Sequence, residues 1–340
     1  MVSPTPHARW RAEMPVIDAH THLSPALLDR AVAIMEANGL AAMVSLNGHT
    51  GEQLFAELRQ YARYPGRFYS FAGVDFTGFG EPNWARRESE ALERAVAAGA
   101  VGLKLHKSLG LGHRDRGGKL IPVDDERLAP IFDQAGELGV PVAFHTADPK
   151  AFFEPLTPDN ERWEELSRNP GWWFGDREKY PYDWWTLLRQ LEKVVARHPH
   201  TTIIGVHFGN AAEELDYLAG MLEKYPHYLI DTAARIGEIG RHDPQRVREV
   251  FMRFSDRILF GTDLGVREPI MLGAPQDLTA TDAHIQKFYQ DHWRFFETAE
   301  CNLPHPIPIQ GHWTVRACDL PREVLERLYF RNAQRWILGR

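Results

Sequence analysis

Cysteine is almost missing from this sequence: Cys301 and Cys318 are the only two in 340 residues, and they show no CxxC spacing. That count excludes a disulfide framework and a thiolate metal site, and it fits a reducing compartment. Long apolar runs are missing too. No stretch approaches the roughly 20 apolar residues that a membrane span requires, and Met1 to Met14 offers prolines, arginines and a Trp but no apolar leader core. Excess positive charge is also lacking. A net charge of -7 argues against a nucleic-acid or anionic-membrane partner, since both demand a dominant basic surface. The expectation is a cytoplasmic protein whose partner is a small molecule. At 44% hydrophobic and 25% charged, the chain can bury a large core.

Short apolar, β-branched runs begin near Val16, Ala41, Phe68, Ala100, Val140, Thr202, Tyr228 and Ile258. Segments of helical periodicity follow them: Pro25 to Asn38, Glu52 to Arg63, Trp84 to Ala98, Asp124 to Leu138, Trp184 to Arg197, Ala211 to Lys224, Pro244 to Phe254 and Pro321 to Leu338. Continuous apolar strands alternating with amphipathic helices predict a parallel sheet covered by helices, and eight such units predict a single α/β domain over 1–340, a (β/α)8 TIM barrel. The open doubly wound sheet is the competitor. It usually carries a glycine-rich phosphate turn after its first strand, where this chain has His-Thr-His-Leu-Ser-Pro.

Two stretches exceed what a barrel needs, residues 150–183 after the fifth strand and 266–308 after the eighth. The first holds Phe152, Phe153, Trp163, Trp172, Trp173 and Phe174. Loops after strand C-termini line a barrel's mouth, so these segments read as substrate-facing, the first as a helical, Trp-rich insertion. A subunit interface, and with it a homo-oligomer, is the alternative reading of the same tryptophans.

Chemistry concentrates at the strand ends. In Val16-Ile17-Asp18-Ala19-His20-Thr21-His22-Leu23 the two imidazoles are spaced i, i+2, and alternate residues of a strand share a face, so His20 and His22 can serve one divalent ion. Asp18 has the same parity and reads as a supporting group. Strand four ends with Lys104, strand five with His145, strand six with His207 and strand eight with Asp263. In a closed barrel all of these converge at one end.

The motifs Asp18-Ala19-His20-Thr21-His22, Phe144-His145, Val206-His207-Phe208-Gly209 and Phe260-Gly261-Thr262-Asp263 resemble the amidohydrolase superfamily, in particular the amidohydrolase-2 branch of metal-dependent barrel hydrolases and decarboxylases. The resemblance implies that His20, His22, His145 and Asp263 ligate the metal. It also implies that His207 polarises a substrate carbonyl or binds a second ion. Lys104 resembles the lysine that, once carbamylated, bridges two ions in part of the superfamily; a free ammonium cannot ligate a cation. In the one-metal branch Lys104 instead stays cationic and holds a substrate carboxylate, and one ion is favoured over two. Zn2+ is the expected metal, although nitrogen and oxygen donors also accept Mn, Fe, Co or Ni.

Such an ion acidifies bound water, and Asp263 beside it can take a proton and pass it on. The leading expectation is therefore a hydrolase that cleaves an amide, lactone or related bond of a small carboxylate-bearing molecule. The alternative is non-oxidative decarboxylation of an aromatic or unsaturated acid, towards which the aromatic 150–183 segment leans. A purely structural ion is disfavoured in a chain with ample core. Arg235, just past strand seven, is expected to clamp a carboxylate, with Asp231 and Glu238 as its other candidate partners. His106 is a candidate substrate contact. His198, His200 and His242 read as solvated.

Overall fold

The computed structural model describes residues 13–275 and 280–339. Most of the N-terminal segment read above as lacking a leader core, and residues 276–279 of the second long connection, lie outside that range. Among the described residues there are ten strands: β1 Val16–Leu23, β2 Leu40–His49, β3 Phe68–Ala72, β4 Leu103–Leu105, β5 Val142–Phe144, β6 Ile203–Gly205, β7 Tyr228–Asp231, β8 Ile258–Leu259, β9 Leu264–Val266 and β10 Met271–Leu272. Hydrogen bonding orders them β10-β9-β1-β2-β3-β4-β5-β6-β7-β8. β9, β1 and β2 pair in parallel, as do β3 to β7, and β9–β10 is an antiparallel hairpin. The α/β class and the alternation of strand with helix are those the sequence predicts. Among the described residues no helix is long and apolar enough to cross a membrane.

The chain divides into two compact units. The first takes in residues up to Ser45, Tyr64–Phe68, and everything from Asp231 onward. Its strand β1 pairs in parallel with β2, Val16 opposite Leu40 and Thr21 opposite Ser45. On the other side of β1, Ala19 N–H donates to Phe260 O at 2.8 Å and Asp263 N–H to His20 O at 2.9 Å. The end of β8 is thus laced onto the strand that carries the two histidines. Gly261 permits this approach: a Cβ there would fall 2.8 Å from His20 Cβ.

Behind β8 lies a wall of aromatic side chains. Helix Asp282–Glu297, part of the segment expected to face substrate, buries Ile285, Phe288, Tyr289, Trp293 and Phe296, an i, i+3, i+4, i+8, i+11 stripe. Trp293 stacks on Phe260 at 5.0 Å, and Tyr329 meets the same ring edge-on at 5.4 Å. This part of 266–308 is therefore core rather than rim. His292 stays neutral there, since burial pushes its pKa down to about 4 while its Nδ1–H donates to Phe288 O. The expected continuous helix 321–338 is instead interrupted by a π turn, Arg327–Arg331, and Leu328 O accepts from Phe260 N–H at 3.0 Å.

The second unit comprises Leu46–Arg63 and Tyr69–Ile230. Parallel register runs Leu103–Val142–Ile203–Tyr228 across β4 to β7. Asp183 caps helix Trp184–Arg197 by accepting from Thr186 N–H at 2.7 Å, and the helix buries Trp184, Leu187, Leu188, Leu191, Val194 and Val195. His198, expected to be solvated, is buried: the chain turns there and its Nδ1 bonds Asp133 at 2.7 Å. In the 150–183 segment, Lys150–Phe153 and Pro170–Trp172 form 3-10 turns and Trp163–Arg168 a short helix.

Because Trp293 and Phe260 fill one apolar layer, Trp293→Ala is expected to destabilise the protein by about 3–5 kcal/mol. Urea unfolding curves read this; a loss under about 1 kcal/mol contradicts the packing assigned to this helix.

Candidate metal centre

Strand β1 is buried along most of its length, and its two-residue period places Asp18, His20 and His22 on one side. His20 is fully buried. Its Nδ1 meets Asp231 Oδ2 at 2.8 Å, which turns Nε2 towards Asp263 Oδ1 at 3.6 Å. His22 Nε2 lies 3.2 Å from the same oxygen. The two imidazole nitrogens and this carboxylate oxygen form one group within the spacing of a metal site. Donors bonded at about 2.1 Å to one ion sit about 3.0–3.5 Å from one another in octahedral or tetrahedral geometry, so the observed separations suit a single ion. The donor set of two neutral nitrogens and one hard oxygen fits a divalent transition metal.

What aims Asp263 is a buried carboxylate two residues before His20. Asp18 Oδ1 accepts from Thr262 N–H at 3.1 Å, and Asp18 Oδ2 from Thr262 Oγ1 at 2.6 Å and Tyr289 Oη at 2.8 Å. Burial pushes the Asp18 pKa up to about 7, against the pull of the Thr262 and Tyr289 hydrogen bonds. With Thr262 pinned, the next residue enters the left-handed region: Asp263 has φ 64°. Aspartate tolerates that conformation better than most side chains, and here it lifts the carboxylate off the strand line towards the histidines.

Asp231, considered from sequence as a partner of Arg235, holds His20. Its second oxygen, Oδ1, accepts from Ala233 N–H at 3.1 Å. A carboxylate on the far nitrogen of a ligating histidine fixes the tautomer and orients the ring. Buried Arg235 donates from Nη1 to Ala234 O at 2.8 Å.

In the second unit the structure brings His145 and His207 together, ring centroids 4.4 Å apart at 65°. His145 Nε2 meets Asp148 Oδ1 at 3.2 Å, and Asp148 Oδ2 takes Lys107 Nζ at 2.5 Å. Lys107 in turn lies 4.5 Å over Trp172 and 5.7 Å over Phe174, so the aromatic segment after β5 reaches this cluster. His207 opens a run of left-handed residues with Phe208, Gly209 and Asn210, which turns the chain sharply at the end of β6. Lys104 is buried within β4. His106 is exposed, and its Nε2–H donates to Asn47 O at 2.8 Å.

The sequence reading found the histidines and Asp263 but missed Asp148 and the duty of Asp231. Asp231 carried a usable signal. It ends the apolar run Tyr228-Leu229-Ile230, the same strand-end position that marks Asp263.

The model of the Amidohydrolase family, amidohydrolase-2 branch, matches residues 17–337. The chain belongs to this family. Among curated proteins none matches it in sequence. Of solved structures, 2,6-dihydroxybenzoate decarboxylase from Rhizobium is similar at 15% identity and TM-score 0.57, covering 96% of this chain and 99% of that one. The 5-carboxyvanillate decarboxylase of Novosphingobium aromaticivorans, complexed with manganese and a nitrobenzoic acid, is similar at 14% identity and TM-score 0.55, covering 97% of both chains. An amidohydrolase from Staphylococcus aureus is similar at 14% identity and TM-score 0.56, covering 95% of this chain and 99% of that one. At these identities the likeness is one of fold.

Two substitutions test the centre. Asp231→Asn is expected to weaken metal affinity about 10- to 100-fold with the fold retained, read by competition with a chromophoric chelator; unchanged affinity removes Asp231 from the site. Gly261→Ala is expected to displace His20 and lower metal stoichiometry in the purified protein, and full occupancy with an unshifted melting temperature contradicts the close approach.

Proposed function

We propose that this protein is a metal-dependent, non-oxidative decarboxylase of a small aromatic carboxylic acid of the hydroxybenzoate kind, working in the cytoplasm on a (β/α)8 scaffold. The observation that carries the reading is the convergence of His20, His22 and Asp263, with Asp231 behind His20. The two decarboxylases of similar fold favour carbon–carbon cleavage over the hydrolysis that the motifs alone put first. The aromatic residues beside Lys107 suit a flat ring.

In this reading His20, His22 and Asp263 would hold a divalent ion, which would supply Lewis acidity towards the substrate. His145 is proposed as a further ligand and His207 as the group that polarises the substrate oxygen. Lys104 and Arg235 are proposed to neutralise its carboxylate, and His106 to flank the ring. Asp263 delivers a proton to the carbon that bears the carboxylate. The bond to the carboxyl carbon then breaks, its electron pair stays with the ring, and CO2 and the arene leave. Zinc or manganese both suit the donors, and the roles given to His145, His207, Lys104, Arg235 and His106 belong to the proposal.

The test is a panel of hydroxybenzoates, amides and lactones offered to zinc- and manganese-loaded protein. CO2 release from the acids is expected, abolished by chelation while circular dichroism and melting stay native. Acid release from amides or lactones without CO2 establishes the hydrolase instead, and unfolding on chelation establishes a structural ion.

A further inference from the structure

The second unit holds a cavity of about 510 Å³ between the connection that follows β3 and the turn, bridged by Arg114 and Leu120, that follows β4. Its walls carry the guanidiniums of Arg87, Arg114 and Arg116 and the carboxylates of Asp75, Glu81 and Asp115. The two sets are unequally engaged. Glu81 already sits between two cations, Oε1 at 2.6 Å from Arg116 Nη2 and Oε2 at 3.9 Å from Arg87 Nη1. Asp75 Oδ1 accepts from Thr77 N–H at 2.8 Å, and the Thr77 bonds hold this carboxyl below the usual range. Asp115 Oδ1 accepts from the Gly117 and Lys119 amides at 2.9 and 3.0 Å. Each of these two carboxylates thus closes its own turn.

The guanidiniums are less committed. Arg114 donates only to carbonyls, Gly118 O at 2.9 Å and Lys179 O at 3.2 Å, and among the described residues no carboxylate pairs with it. Arg116, 74% exposed, bonds Glu81 alone, and a pair so open to water is weakly held. Arg87 is braced by Thr77 O at 2.7 Å and by Glu88 at 3.3 Å. A guanidinium carries its N–H donors in a fixed fork that matches a carboxylate or a phosphate, and here much of that capacity is unspent. Phe76 supplies an apolar wall, its ring stacked on His113 at 4.0 Å and 15°.

We propose that this cavity binds a small organic oxyanion, a carboxylate or a phosphate ester, on Arg114 and Arg116 with its organic body against Phe76. The volume suits a small organic molecule rather than a bare ion. Glu81 is the internal competitor, a carboxylate that occupies Arg116 until a ligand's oxyanion takes its place. A cationic ligand would instead meet carboxylates whose charge amides and guanidiniums already hold. All of these residues belong to the second unit, and the site stands whether or not the decarboxylase reading does.

The experiment is calorimetry on the zinc-loaded full chain with phenyl phosphate, benzoate, inorganic phosphate, acetate and benzylamine. At least one aryl anion is expected to bind about tenfold or more tightly than benzylamine and about threefold or more tightly than its bare counterpart, phosphate or acetate. The tighter aryl anion assigns the head group. Joint Arg114→Gln and Arg116→Gln substitution is expected to weaken that anion about tenfold or more, with melting unchanged. Glu81→Gln, which releases Arg116, is expected to tighten it about two- to fivefold. A merely structural role for Glu81 does not produce a gain, and this variant keeps the test open if the double variant fails to fold. An anion held by the zinc ion keeps its affinity in the double variant. That result, binding of no anion, preference for benzylamine, equal binding of the bare ions, or unchanged or weaker binding in Glu81→Gln overturns the proposal.

Discussion

The first unit depends on one buried carboxylate. Asp18 has no cationic partner among the described residues, and withdrawing its charge from water is costly, which is why burial drives its pKa up to about 7. Four donors offset that cost: the Thr262 amide, the Thr262 hydroxyl, the Tyr289 hydroxyl and the His20 amide. The first three lie far from Asp18 in sequence. The clamp therefore forms only when β1, the end of β8 and helix Asp282–Glu297 are all assembled. Its product is the position of residue 263. Thr262 is held at both backbone and side chain, and Asp263 is then carried into a left-handed turn that aims its oxygen at two imidazoles. The aromatic layer of Trp293, Tyr329 and Phe260 serves the same end, because it fixes the strand from which that turn springs.

What could be read in advance follows from the range of the interactions. Strand alternation is local, so Asp18, His20 and His22 were assignable to one face from eight residues, and the chemistry at the ends of strands five, six and eight was visible because each strand ends where its apolar run ends. Helix Asp282–Glu297 shows a clear 3.6-residue stripe, yet the C-terminal segment 321–338 already supplies a helix to follow the eighth strand, so in sequence the stretch before it reads as a mouth loop. The contact of Asp231 with His20 is out of reach of the sequence, because it joins residues 211 positions apart and only the assembly of distant strands brings them together. His198 was misjudged for a related reason: a histidine after a helix is solvated unless the turn folds it back, as Asp133 and Phe132 arrange here.

A common device recurs at three histidines. Asp231 grips His20, Asp148 grips His145 and Glu57 grips His49, each through one ring nitrogen. An imidazole has two nitrogens with opposite hydrogen-bonding roles when neutral, and a carboxylate on one of them settles which proton is carried where. For His20 and His49 the gripped atom is Nδ1, so the distal Nε2 points away from the carboxylate. For His145 the gripped atom is Nε2.

That difference has a consequence for the ligand role proposed for His145. Nitrogen ligation uses a lone pair, and an Nε2 that donates its proton to Asp148 has none to give. Within its own unit Asp148 keeps Lys107 on the other oxygen at 2.5 Å, and that lysine lies over the Trp172 ring, so the buried carboxylate has a cation beside it independently of the imidazole.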